Sequence, residues 1–148
     1  MKNVLFVFLL LPFFLGAQMP TPVEWKSELK KINKNEYEVR LTASIQSGWY
    51  VYSSKLPSDD GPVATSLFFD EADSFALVGE LKEEGDKIEG YDAIFDMDIS
   101  KYKKEVTFVQ KIKVSGKNSQ IKGEIEFMTC NDQRCLPPRS IPFNLSVK

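Results

Sequence analysis

The sequence of 148 residues contains no histidine. That absence excludes Ser-His and Cys-His nucleophile pairs, imidazole general bases and His-ligated zinc or copper. Basic charge is not in excess either. Lys and Arg number 19 against 21 Asp and Glu, a net charge of -2, so no positive field is available to grip nucleic acid. Long hydrophobic runs are missing: the longest, Val4–Leu15 (VLFVFLLLPFFL), falls well short of the roughly twenty residues that a bilayer-spanning helix needs. Cysteine is scarce, with 2 in the chain, and none follows that run to carry a lipid. No repeat, low-complexity tract or interior domain boundary interrupts the rest, and the whole chain's 43% hydrophobic and 27% charged residues suit one globular domain.

The apolar run has a reading of its own. Lys2 gives a positive start, Val4–Leu15 an apolar middle and Gly16-Ala17 a small-residue edge, the layout of a secretory signal peptide cleaved before Gln18. Residues 1–17 are expected to be removed, leaving residues 18–148 as an exported domain where disulfides persist.

What remains reads as strands. Glu36–Gln46 alternates without error, with Tyr37, Val39, Leu41, Ala43 and Ile45 on one face, which marks a half-buried antiparallel strand. Val23–Leu29 precedes it across the turn residues Asn33-Lys34-Asn35. Trp49–Tyr52, Val63–Phe69, Val106–Val114, Ile121–Cys130 and Ile141–Val147 continue the series. Seven or eight short strands with no helical period predict an antiparallel β-sandwich, all-β in class. The charged stretch Glu80–Tyr102 lacks alternation and is expected to be a long loop with little strand, of the kind that often carries function.

The two cysteines form the informative constellation, Cys130-Asn131-Asp132-Gln133-Arg134-Cys135 followed by Leu136-Pro137-Pro138. If Asn131–Arg134 is a hairpin loop, the cysteines are cross-strand neighbours, close enough to be bridged. Strand parity puts Ile121, Ile125 and Phe127 on one face and Cys130 on the other, so Cys130 is expected to look outward, within reach of a partner's thiolate. A loop this short gives a bridge only about 2 kcal/mol of stabilisation, a poor return for a structural staple. Accessible bridges of that kind tend to be labile or catalytic. Arg134 beside Cys135 favours its thiolate, with Asp132 opposing. An inert bridge in an exported domain is the competing reading. Ile141 shares the parity of Cys135, so the Pro-Pro step is expected to break the ladder and reset the register.

The stretch FMTCNDQRCLPP, together with GWYVYS and GPVATSLFF upstream, resembles the N-terminal periplasmic domain of the DsbD-type transmembrane thiol reductase, also called a disulfide-bond corrector domain. The likeness runs over most of residues 22–148, and Cys-x4-Cys-Leu-Pro-Pro is its most specific part. It implies an immunoglobulin-like sandwich with a redox-active pair, Cys130 and Cys135. A membrane-embedded thiol or electron transporter of the DsbD or CcdA type would reduce that pair, which would pass reducing equivalents to periplasmic thioredoxin-like proteins. The resemblance makes Cys135 the attacking thiol and Cys130 the resolving one. It sets Tyr50 and Tyr52 beside the pair and makes Tyr91–Met97 (YDAIFDM) a cap loop, with Phe95 as the aromatic that covers the disulfide. The sequence departs from the best-known members in having one residue fewer between the cysteines, and Asp96 where many have Gly. A monomer with no cofactor and no resident metal is expected, with any membrane and thioredoxin-like partners as separate chains.

Other motifs read more simply. Trp25 and Trp49 suit sandwich core. Asp70-Glu71-Ala72-Asp73 and Lys82-Glu83-Glu84 suit solvated charge. Asn144-Leu145-Ser146 fits a glycosylation sequon, a weak pattern that would be idle in a bacterium. Met97 and Met128, with the cysteines, could form a soft Cu(I) ligand set, which makes a Cu(I) carrier a further alternative.

Overall fold

Alternation in Glu36–Ile45 is realised as strand β2, with Tyr37, Val39, Leu41, Ala43 and Ile45 all buried on one face. The computed structural model describes residues 21–116 and 119–147, so the expected signal peptide lies outside the described residues. Around β2 the chain lays down β1 (Val23–Lys31), β3 (Trp49–Tyr52), β4 (Ser66–Phe69), β5 (Phe75–Asp92), β6 (Met97–Val114), β7 (Gln120–Phe127), β8 (Thr129–Asn131) and β9 (Arg139–Ser146). No helix occurs among the described residues. One sheet runs β1-β2-β6-β3-β8 with β5 along β6, the other runs β4-β7-β9, and every pairing is antiparallel. The two sheets enclose a core in which Leu41, Val106, Phe108, Ile112, Ile121, Ile125 and Phe127 are almost fully covered. Trp25 packs on that core, 5.1 Å from Phe127 and 6.0 Å from Phe108 between ring centroids, and Trp49 joins it.

The expectation for Glu80–Tyr102 is corrected. This stretch is not a loop. It forms most of a long hairpin in which β5 and β6 pair from Phe75↔Val114 to Asp92↔Met97 and turn through Ala93–Asp96. Alternation fails here because the outer part of the arm lies largely exposed and has no buried face to imprint a period. The arm is held by backbone pairing, which any side chain permits. Its ladder is interrupted at a bulge between Gly85 and Lys87, opposite Lys104 with its φ of 70°, and there β6 changes its other neighbour from β2 to β3.

Just before that bulge, Glu83 clasps the arm to β3. Its side chain is 7% exposed and accepts hydrogen bonds from Ser53 Oγ (2.8 Å), Ser54 Oγ (2.7 Å), Ser54 N (2.5 Å) and Tyr102 Oη (2.6 Å), with Lys87 Nζ at 3.3 Å. Burial alone would push this carboxyl up, but the donors from Tyr102, Ser54 and Ser53 outweigh it and hold it near 2.

The smaller sheet depends on one close approach. Gly123 pairs with Phe69 on β4 and Phe143 on β9, and a methyl there would sit 2.8 Å from Phe143 Cζ and 3.0 Å from Phe69 Cα, and harder still against Phe68 O. Gly123→Ala is therefore expected to cost about 2 kcal/mol by overpacking. Thermal unfolding reads this, with Gly90→Ala as control because nothing lies within 4 Å of its would-be methyl. Equal midpoints for the two variants would show that β4 yields freely.

Candidate functional site

Trp49 and Val51 face the sandwich core, so alternation along β3 turns Tyr50 and Tyr52 to the other face of the larger sheet. There they build a second, smaller cluster with Ile99 and Cys130, against which Leu56, Phe95, Met97, Met128 and Cys135 pack. Cys130 and Cys135 are joined by a disulfide, with Cα atoms 4.0 Å apart. The sulfur-bearing residues Met97, Met128, Cys130 and Cys135 thus meet in one place.

The outward orientation expected for Cys130 is corrected. Cys130 does leave the main core, but it is fully covered, at 0% exposure. Strand parity could not be carried to it because the expected strand Ile121–Cys130 is two. β7 ends at Phe127 in the smaller sheet, the chain crosses at Met128, and β8 joins the larger sheet by pairing Cys130 with Tyr50. Cys135 is partly exposed and is the more approachable sulfur-bearing end of the bridge. Beyond Pro137-Pro138, β9 returns to the smaller sheet with Ile141 opposite Ile125, which removes the register conflict.

Asn131 shapes the loop between the cysteines. Its Oδ1 accepts from the N–H groups of Gln133 (2.9 Å) and Arg134 (2.8 Å), while its own N–H donates to Arg134 O at 2.9 Å. Thr129 Oγ1 donates to Tyr50 O at 2.9 Å, and Leu136 N to Thr129 O at 2.9 Å, so both ends of the loop are tied down. Arg134 is exposed and its guanidinium lies 6.0 Å from the Trp49 ring.

The tip of the β5–β6 hairpin reaches this cluster. Phe95 stands edge-on to Tyr52 at 5.9 Å, and Tyr52 edge-on to Tyr50 at 5.6 Å. Tyr91, also named from the sequence, is not brought in: it is 64% exposed and its hydroxyl donates to Asp96 Oδ1 at 2.5 Å. Asp96 takes the left-handed conformation, φ 56°, that closes the turn where Gly would be easiest.

Sequence reasoning missed Asp92 and Lys101. Asp92 is buried, accepts from the Ile94 N–H at 3.0 Å to fix the turn, and pairs with Lys101 Nζ at 2.8 Å. Burial opposes its charge, but Lys101 and the N–H groups of the turn hold its carboxyl below the usual range. Lys101 Nζ also sits 4.0 Å from the centre of the Tyr50 ring. The Tyr50 hydroxyl donates to Asn131 O at 3.2 Å and lies 3.5 Å from Asp92 Oδ2. Burial is the main cause of its raised pKa. The only sequence signal for this pair is opposite charge on adjacent strands, invisible while the hairpin itself went unrecognised.

The sequence model described as "Thiol:disulfide interchange protein DsbD, N-terminal" matches residues 18–146. Among solved structures, the DsbD N-terminal domain of Neisseria meningitidis in its reduced form aligns with a TM-score of 0.55 at 22% identity, over 82% of this chain and 84% of that one. The N-terminal periplasmic domain of ScsB from Proteus mirabilis aligns with a TM-score of 0.64 at 19% identity, over 88% of this chain and 49% of that one. The chain thus spans about half the length of the solved ScsB domain. No curated protein matches the sequence.

Proposed function

Since the chain belongs to the family of the N-terminal domain of the thiol:disulfide interchange protein DsbD, we propose that it is a periplasmic thiol–disulfide relay working through Cys130 and Cys135. The observation that carries this reading is the bridge itself, a short-range disulfide set in an aromatic cluster with one sulfur-bearing residue buried and the other partly exposed. In the dithiol form the Cys135 thiolate attacks a disulfide of a periplasmic thioredoxin-like protein and forms a mixed disulfide. Cys130 then attacks Cys135, expelling the partner's thiolate and restoring the bridge. A membrane-embedded thiol transporter re-reduces it. Phe95 caps the pair between encounters, Tyr50 and Tyr52 form the floor, and Arg134 lies at the rim, while Tyr91 braces the cap turn through Asp96.

The reading requires export. No helix among the described residues is long and apolar enough to cross a membrane, and the mature chain is expected to begin at or near Gln18. N-terminal sequencing of the periplasmic fraction reads this, and an intact Met1 in the membrane fraction would contradict it.

Equilibration with a defined series of glutathione redox buffers tests the chemistry. A relay titrates within the range of the series, whereas an inert bridge stays oxidised throughout. Stability gives a second measure. The Cys130→Ser/Cys135→Ser double variant is expected to unfold cooperatively with a loss of about 2 kcal/mol, because so short a loop constrains the unfolded chain little. A double variant that cannot fold would assign the bridge to structure.

A further inference from the structure

The cluster around the disulfide contains one polar atom without a use. Tyr52 is fully buried, and its hydroxyl, beside that of Tyr50, makes no well-formed hydrogen bond. A buried donor left unpaired is costly and uncommon, and substitution by Phe would remove the cost without changing the shape. The neighbouring Tyr50 hydroxyl is no precedent, since it is engaged with Asn131 O. Four sulfurs share this face, the thioethers of Met97 and Met128, whose state is fixed, and the sulfurs of Cys130 and Cys135, which carry no charge while bonded to each other. Their demand for a donor changes when the bridge opens.

Building on the relay reading, we propose that the Tyr52 hydroxyl is the hydrogen-bond donor for the thiolate that forms on Cys130. The thiolate of an incoming dithiol protein attacks Sγ of Cys135, the less covered residue, and a new S–S bond forms there. The Cys130–Cys135 bond breaks and its electron pair goes to Sγ of Cys130. This charge appears on a fully covered residue among Tyr50, Tyr52 and Ile99, surroundings that strongly disfavour an anion. Of the two cluster hydroxyls, Tyr52 has the less committed proton: Tyr50 donates to Asn131 O, whereas the polar neighbour of Tyr52 is the Tyr50 hydroxyl, without a well-formed bond between them. Burial raises the pKa of that hydroxyl, so it remains a donor wherever thiols ionise. The Cys130 thiolate later takes a proton from solvent or attacks Cys135 to reverse the step.

Tyr52→Phe tests this. The oxidised variant is expected to fold with an unfolding midpoint equal to or above that of the parent, because an unpaired buried hydroxyl has been removed. In a glutathione series run at a pH where the Cys130 thiol is ionised, its equilibrium constant for reduction is expected to fall by about tenfold or more, the usual worth of a hydrogen bond to a charged group. Thiolate absorbance against pH should move in the same sense, with the buried thiol titrating at higher pH. A purely structural Tyr52 would leave the redox midpoint and the thiol titration unchanged, and that result would overturn the proposal. If parent and variant both ignore glutathione, the relay reading falls and takes this assignment with it.

Discussion

Phe95→Ala is expected to leave the sandwich folded while its reduced thiols are alkylated close to 100-fold faster. Phe95 sits on a hairpin tip, partly buried, and touches the smaller cluster without entering the main core. Covering a Phe ring and setting it edge-on to Tyr52 together give about 2.5 kcal/mol to the closed arrangement. Removing that much shifts the balance of closed and open tips by nearly two decades. The backbone pairs of the arm and the Asp92 turn do not depend on the ring, so the global fold is spared. Thermal unfolding and the alkylation rate of reduced Cys135 decide the matter. Loss of about 3–5 kcal/mol, with folded-state thiols no more reactive than before, would make Phe95 an ordinary core residue.

A comparable energy rests on Glu83, with a pH signature. Its carboxyl titrates near 2 when folded, below the 4.5 of an unperturbed glutamate. A depressed folded value means that the stabilising contribution is complete above the unfolded pKa and disappears as pH falls through the folded one. The window therefore runs from about pH 4.5 down to about pH 2. At neutral pH the shift is worth about 3 kcal/mol. Glu83→Gln is expected to lose most of that at pH 7, since an amide cannot accept from two serines and Tyr102 together. The deficit should shrink as both proteins are taken to acid. Denaturant unfolding at several pH values checks this, and a deficit independent of pH would mean that shape rather than charge holds the joint.

How far the sequence foretold these features depended on whether a residue had a buried face to obey. β2, buried on one side throughout, was legible residue by residue, and Trp49–Tyr52 coincided with β3. The outer arm of β5–β6 was not, because pairing in an exposed ribbon leaves no period in the side chains. Misreading the arm as a loop hid Glu83, Asp92 and Lys101, which acquire partners only across that hairpin. The bridge was legible from spacing alone. The burial of Cys130 was not, since the change of sheet at Met128 has no marker in an otherwise smooth alternation. Phe95 was reached through resemblance, and its contact with Tyr52 fits that placement without depending on any local rule.

β8 is three residues long and closes the margin of the larger sheet, with Cys130 bridged back to Cys135 along it. A long bare strand beside a reactive sulfur would be hazardous. A second copy could align its backbone there, and the chance ladder would be locked by a covalent link. A margin this brief, already folded against its own chain, gives such polymerisation no track to follow. Encounters at the bridge must rely on side chains, and links made that way can be undone.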